Sequence, residues 1–207
     1  MARIRGVAKD EAAAEARAVF EEQENRKVLV IVKENSSELE FMLTKEVAVI
    51  TDTLEQSGFE AVVASASGQP MVTVATTLTP DLKLKDVKVV DYAGIIIPCM
   101  MAPEVPKVAA IVKEAVAEGR PVAAQFSSIL ILAEAGVLSG KKYAFITEER
   151  AAEHSTLKDA MYSGYGVVQD GKIITSGVCP LAAKRRGLQD GTPKLIKALI
   201  TELTGEK

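Results

Sequence analysis

The chain has 207 residues, of which 48% are hydrophobic and 26% charged, an ordinary globular composition with enough length to bury a core. Its 25 basic and 28 acidic side chains leave a formal net charge of −3, which disfavours a nucleic-acid binder working by phosphate neutralisation. No apolar run approaches the ~20 residues of a membrane helix, and Met1 to Phe20 mixes Arg3, Arg5 and Arg17 with Asp10, Glu11 and Glu15, unlike a secretory signal or a transit peptide.

In chain order, Asp10 to Asn25 reads as a charged, Ala-rich helix with Ala13, Ala16, Val19 and Phe20 on one side. Lys27 to Lys33 is apolar without alternation, the pattern of a strand buried on both faces. Ser37-Glu38-Leu39-Glu40 has capping-box spacing, and the helix it opens continues through Leu39, Leu43, Val47, Ile50 and Leu54 until Gly58. Phe41, Met42 and Val49 lie off that stripe and are candidates for a subunit contact. Phe59 to Ser65 is a second buried strand, and Met71 to Thr77 and Val87 to Val90 are β-rich around Thr79-Pro80-Asp81.

Ala93 to Pro98 is a third buried strand, followed by an amphipathic helix from Pro103 to Glu118 with Val105, Val108, Ala109, Val112 and Val116 on one face. Pro121 to Gln125 is a fourth, running directly into a helix that ends at Gly136. Lys142 to Ile146 reads as a strand and Glu148 to Met161 as a helix. Gly166 to Ser176 is a hairpin about Asp170-Gly171. Thr192-Pro193 opens a last helix carrying Leu195, Leu199 and Leu203. Strand–helix alternation with unbroken Val/Ile strands predicts an α/β fold, a flavodoxin-like three-layer α/β/α sandwich with a mostly parallel sheet. Ligand sites in such folds lie beyond the carboxyl ends of strands, so the loops after Val32, Ile97 and Gln125 matter most.

Three stretches resemble the ThiJ/PfpI family, within the class I glutamine-amidotransferase-like fold. They are Asp91-Tyr-Ala-Gly-Ile-Ile-Ile-Pro98, the pair Gly119-Arg-Pro-Val-Ala-Ala124 and Leu132-Ala-Glu-Ala-Gly-Val-Leu-Ser-Gly-Lys-Lys142, and Asp170-Gly-Lys-Ile-Ile-Thr-Ser176. The resemblance implies 27–207 as a ThiJ/PfpI-like domain, assembled as a homodimer or higher homo-oligomer, and residues 1–26, with the helix read above, are expected to be an N-terminal helical extension. It further implies a cysteine on a strained strand-to-helix elbow, an acid on the first helix bonded to that thiol, and backbone donors from a Pro-Gly-Gly loop. A thiolate beside preorganised N–H donors is a coherent acyl- or carbonyl-attacking site.

At the matching positions this chain departs. The elbow position is Phe126, its next neighbours are Ser127 and Ser128, and Pro-Gly-Gly is Pro98-Cys99-Met100. Glu40 is the acid that matches. The expectation is therefore a family member lacking the cysteine-dependent hydrolase or deglycase activity. One alternative is an active protease/amidase-like or glyoxalase-like enzyme using Cys99 with Glu40; another is a thiol-based stress or redox-sensing protein. Free cysteine is usually a small buried hydrophobe, and that reading weighs on Cys99 and more heavily on Cys179. Ser127 reads as a helix cap, and His154, the one histidine, as a solvated surface residue. A phenylalanine on the elbow implies either a relaxed backbone or a strained one held by packing of its ring. No cofactor or metal is expected, since Cys99, Cys179 and His154 have no metal-ligand spacing. The partners expected are a second copy and a small-molecule ligand in a cytoplasmic setting, with neither nucleic acid nor membrane.

Overall fold

The computed structural model describes residues 26–99 and 105–205. The expected extension, apart from Arg26, lies outside the described residues, as does Met100. A seven-stranded sheet forms the centre, built from β1 (Lys27–Ile31), β2 (Glu60–Ser65), β5 (Leu82–Lys83), β6 (Gly94–Ile97), β7 (Val122–Gln125), β10 (Val167–Asp170) and β11 (Ile173–Ser176). Its order is β10-β11-β7-β6-β1-β2-β5. Every pairing is parallel except the β10–β11 hairpin, whose turn places Gly171 at φ 61, the left-handed conformation that glycine adopts without a Cβ clash.

The continuous apolar strands are explained by burial on both faces. Val28 and Val30 of β1, with Val32 just beyond it, pack with Leu54, Leu195 and Leu199, while the alternate Leu29 and Ile31 pack with Val108, Val112 and Leu132 on the other side. Period-2 alternation thus feeds two cores. One is roofed by α1, which runs from Leu39–Met42 through a π-helical turn, Leu43–Val47, to Ala48–Gln56, together with α6 (Thr192–Thr204). The other is covered by α2 (Val105–Ala117) and α3 (Ile129–Glu134). At ~1.5–3 kcal/mol for each fully buried aliphatic side chain, these two layers supply the main force holding the sheet.

Several local expectations give way to tertiary context. Val87 to Val90 is not a strand; Val89–Asp91 is a short 3-10 turn. Met71 to Thr77 shortens to a two-residue ribbon, β3 (Met71–Val72) with β4 (Thr77–Leu78). The expected strand from Lys142 to Ile146 is only β8 (Lys142–Tyr143), paired with β9 (Met161–Tyr162). That second pairing breaks the expected Glu148 to Met161 helix, leaving α4 (Glu148–Ala152) and a 3-10 turn at Ser155–Leu157. The capping box does not form: Glu38 is the N-cap of α1 without a side-chain cap, and Ser36 Oγ accepts the Glu38 N–H instead. Met42 is buried in the core, so it is withdrawn as a subunit contact. Among the described residues no helix is long and apolar enough to cross a membrane.

Candidate functional site

Strand β7 ends in a sharp elbow. Phe126–Ser128 makes one 3-10 turn before α3, and Phe126 sits at φ 46, alone among the described non-glycine residues in having positive φ. That region costs an L-residue ~1–2 kcal/mol. The ring is partly buried and stacks on Phe145 at 5.7 Å with an interplanar angle of 27°. Of the two outcomes expected for this position, the strained backbone held by its ring is the one present. Phe145 in turn meets His154 edge-on at 5.8 Å. His154 is partly buried, which corrects its reading as a solvated surface residue.

Two loops are tied to the end of β7. Ser128 donates its hydroxyl to the Pro98 carbonyl oxygen, and Gln125 donates Nε2–H to the Val178 carbonyl oxygen at 2.7 Å. Each anchored carbonyl immediately precedes a cysteine. Cys99 therefore follows β6 and Cys179 follows β11, on opposite sides of the elbow. Cys99 Sγ lies 3.4 Å from Ser127 Oγ. Ser127 makes no helix-capping bond, so the capping role expected of it is replaced by contact with Cys99. Cys179 is buried in the hydrophobic core. It is also the N-cap of α5 (Pro180–Arg186).

The carboxylate in this cluster is Glu46, not Glu40. Glu46 Oε1 accepts the Cys99 backbone N–H at 2.6 Å. Glu40 is exposed and its Oε2 accepts from the Ala75 N–H at 2.9 Å, tying α1 to the β3–β4 ribbon. The sequence carried a usable signal. Glu46 lies three residues after Leu43 and four before Ile50, on the apolar stripe itself, and all three are buried. A carboxylate on a core stripe is seldom there without a partner. The π turn brings Glu46 and Val47 inward together; such turns often accompany functional sites.

Electrostatics divide the cluster. Complete burial pushes the Glu46 carboxyl well above its ordinary range, with the charges of Cys179 and Asp190 acting the same way and the Cys99 N–H opposing. The Cys99 thiol is pushed up, first by the influence of Cys179 and then by burial and Glu46. Cys179 moves down, first through the influence of Cys99 and then through the Ala182 and Leu181 N–H groups, against its own burial. The Glu46 carboxyl and the Cys99 thiol thus hold their protons more tightly than usual, and the Cys179 thiol less tightly. Since the Cys99 N–H is committed to Glu46, it is not free to donate to an oxyanion.

A family model described as the DJ-1/PfpI family matches residues 26–183. An uncharacterised protein of Archaeoglobus fulgidus is 34% identical over 128 residues, spanning 59% of this chain and 75% of that one. A glutathione-independent glyoxalase of Caenorhabditis elegans is 30% identical over 139 residues, spanning 64% of this chain and 70% of the glyoxalase. Among solved structures, a ThiJ/PfpI domain protein from Brachyspira murdochii superposes with a TM-score of 0.68 at 16% identity, covering 88% of this chain and 98% of that one.

Proposed function

Because the chain belongs to the DJ-1/PfpI family, we propose that it is a member of that family in which thiol chemistry does not run at the elbow, so that glyoxalase-, deglycase- and peptidase-type turnover is absent. The observation that carries this reading is the elbow itself. The residue presented there at φ 46 is Phe126, which has no nucleophilic atom, and its ring packs on Phe145. Covalent attack on a carbonyl needs a thiolate aimed at carbon and free donors placed for the oxyanion. Cys99 supplies neither: its thiol is pushed up rather than down, and its N–H is bonded to Glu46. It also projects from the loop after β6, and a misplacement of ~1 Å can lower a rate about a hundredfold.

One observation favours a second reading. Cys99 touches both Ser127 and Glu46, and the C. elegans relative is a glyoxalase, so a displaced thiol site acting on a small carbonyl compound is the competing proposal. Purified protein incubated with methylglyoxal and with a general peptidase substrate separates the two. Background rates support the first reading; turnover that disappears in Cys99→Ser installs the second. A homodimer or higher homo-oligomer is part of the proposal on the strength of the resemblance, with Phe41 and Val49 as its remaining contact candidates. Light scattering returning a particle of 22.0 kDa would count against assembly.

A further inference from the structure

Outside the main sheet, β8 and β9 form a two-stranded ribbon whose register pairs Tyr143 with Tyr162. Two backbone bonds extend it, from the Ser163 N–H to the Tyr143 carbonyl oxygen and from the Phe145 N–H to the Gly164 carbonyl oxygen. The two tyrosine rings meet edge-on at 6.2 Å and form one wall of a cavity of about 330 Å³. Residues of α4 and of the Ser155–Leu157 turn supply the rest of the lining. That volume is at the small end of the ~300–1,000 Å³ of ordinary ligand sites.

The fold leaves the polar lining of this cavity unpaired. Tyr143 is 2% exposed, yet neither its hydroxyl nor that of Tyr162 has a hydrogen-bond partner among the described residues. Glu148 and Lys158 line the same cavity, and neither enters an ion pair among the described residues. Arg150 is committed elsewhere, to Glu153 at 2.9 Å. After burial, the charge of Glu148 is what pushes both tyrosine hydroxyls up, so the acid acts on the aromatic wall. Ala151 and the buried Leu157 make the lining apolar in between. An acid and a base left unpaired in one small cavity with aromatic and aliphatic walls match a ligand that carries both charges.

We propose that this cavity binds a free amino acid with an apolar side chain, its ammonium group on Glu148 and its carboxylate on Lys158. The ammonium group gains further from the electron-rich tyrosine rings, and the apolar side chain is removed from water against Leu157 and Ala151. The tyrosine hydroxyls and the His154 ring, which also lines the cavity, complete the hydrogen bonds of the ligand. A cation alone leaves Lys158 unanswered, and an anion alone meets the charge of Glu148, so the pair of charges sets specificity. Phe145 touches both His154 and Phe126, which puts the cavity one ring away from the elbow. It shares none of Cys99, Ser127 or Glu46.

NMR titration of the full-length protein with compounds of one shape tests this. L-phenylalanine carries both charges, phenethylamine lacks the carboxylate, and 3-phenylpropionate lacks the ammonium group; L-leucine is the aliphatic counterpart. L-phenylalanine should bind more tightly than either singly charged compound. Glu148→Gln should weaken L-phenylalanine and phenethylamine about tenfold, the loss of one charge-assisted bond, and leave 3-phenylpropionate no weaker. Lys158→Gln should weaken L-phenylalanine and 3-phenylpropionate and spare phenethylamine. Both side chains are exposed, so both variants should keep the fold, which circular dichroism checks. Cys99→Ser should bind L-phenylalanine as the wild type does, which separates this site from the carbonyl question. Failure of both L-phenylalanine and L-leucine to bind at millimolar concentration overturns the proposal. So do phenethylamine binding as tight as that of L-phenylalanine, folded charge variants with unchanged affinity, and binding that disappears in Cys99→Ser.

Discussion

The strain assigned to the elbow can be measured by substituting one residue in two ways. Replacing Phe126 with alanine removes a ring that is partly buried and stacked 5.7 Å from Phe145. Full burial of such a ring is worth ~3–5 kcal/mol on truncation, so a half-buried one should lose about 2–3 kcal/mol. Glycine removes the same atoms and one more. In regular structure glycine is less stable than alanine by roughly 0.5–1 kcal/mol. At φ 46 the order should invert, because an L-residue bears ~1–2 kcal/mol there that glycine does not. Phe126→Gly should therefore be more stable than Phe126→Ala by about 1 kcal/mol, or ~2–4 °C in Tm for a chain of this size. Guanidinium chloride unfolding of the three proteins with equal m-values is the assay. An alanine variant as stable as the glycine variant, or more so, would refute the strained elbow.

The pH dependence of stability should carry the mark of Glu46. Its folded-state pKa lies above the ordinary 4.5, so the native state holds the proton longer than the unfolded chain; this contribution is complete below about pH 4.5 and is lost as pH rises toward the folded-state value. Glu46→Gln, which keeps a carbonyl oxygen for the Cys99 N–H, should remove that loss, and chemical denaturation across pH 4 to 8 reads it. Alkylation of Cys99 by iodoacetamide should be unchanged in Glu40→Ala and faster in Glu46→Ala, since Glu46 bonds the Cys99 N–H and helps push its thiol up whereas Glu40 is tied to Ala75; equal rates in both variants would dismiss the assignment. Gly177→Ala should lower stability by ~1–3 kcal/mol, because a Cβ there would lie 2.5 Å from the Phe145 carbonyl atoms and 2.9 Å from the Tyr165 oxygen; a melting temperature equal to wild type would contradict the packing.

Local pattern in the sequence determined the layered fold. Lys27 to Val32, Ala93 to Pro98 and Pro121 to Gln125 are apolar without alternation because both faces of each strand are covered, and that requirement is written residue by residue. Short elements were less legible. Lys142 to Ile146 has strand composition, yet only two residues pair, since pairing depends on a distant partner and propensity does not encode it. The site was half visible. Phe126, Ser127 and Cys99 follow from position at strand ends, whereas Glu46 was hidden because helical spacing was read from the apolar residues around it, and Glu40 stood where the resemblance put an acid. What only the tertiary structure decided is the meeting of residues 46, 99 and 127. Strand order sets which loops are neighbours, the Gln125 and Ser128 bonds draw two of them across the elbow, and the π turn brings Glu46 inward with Val47. The first two are contacts between segments far apart in sequence, and periodicity carries no information beyond a single element; the π turn is a local departure from the 3.6-residue period.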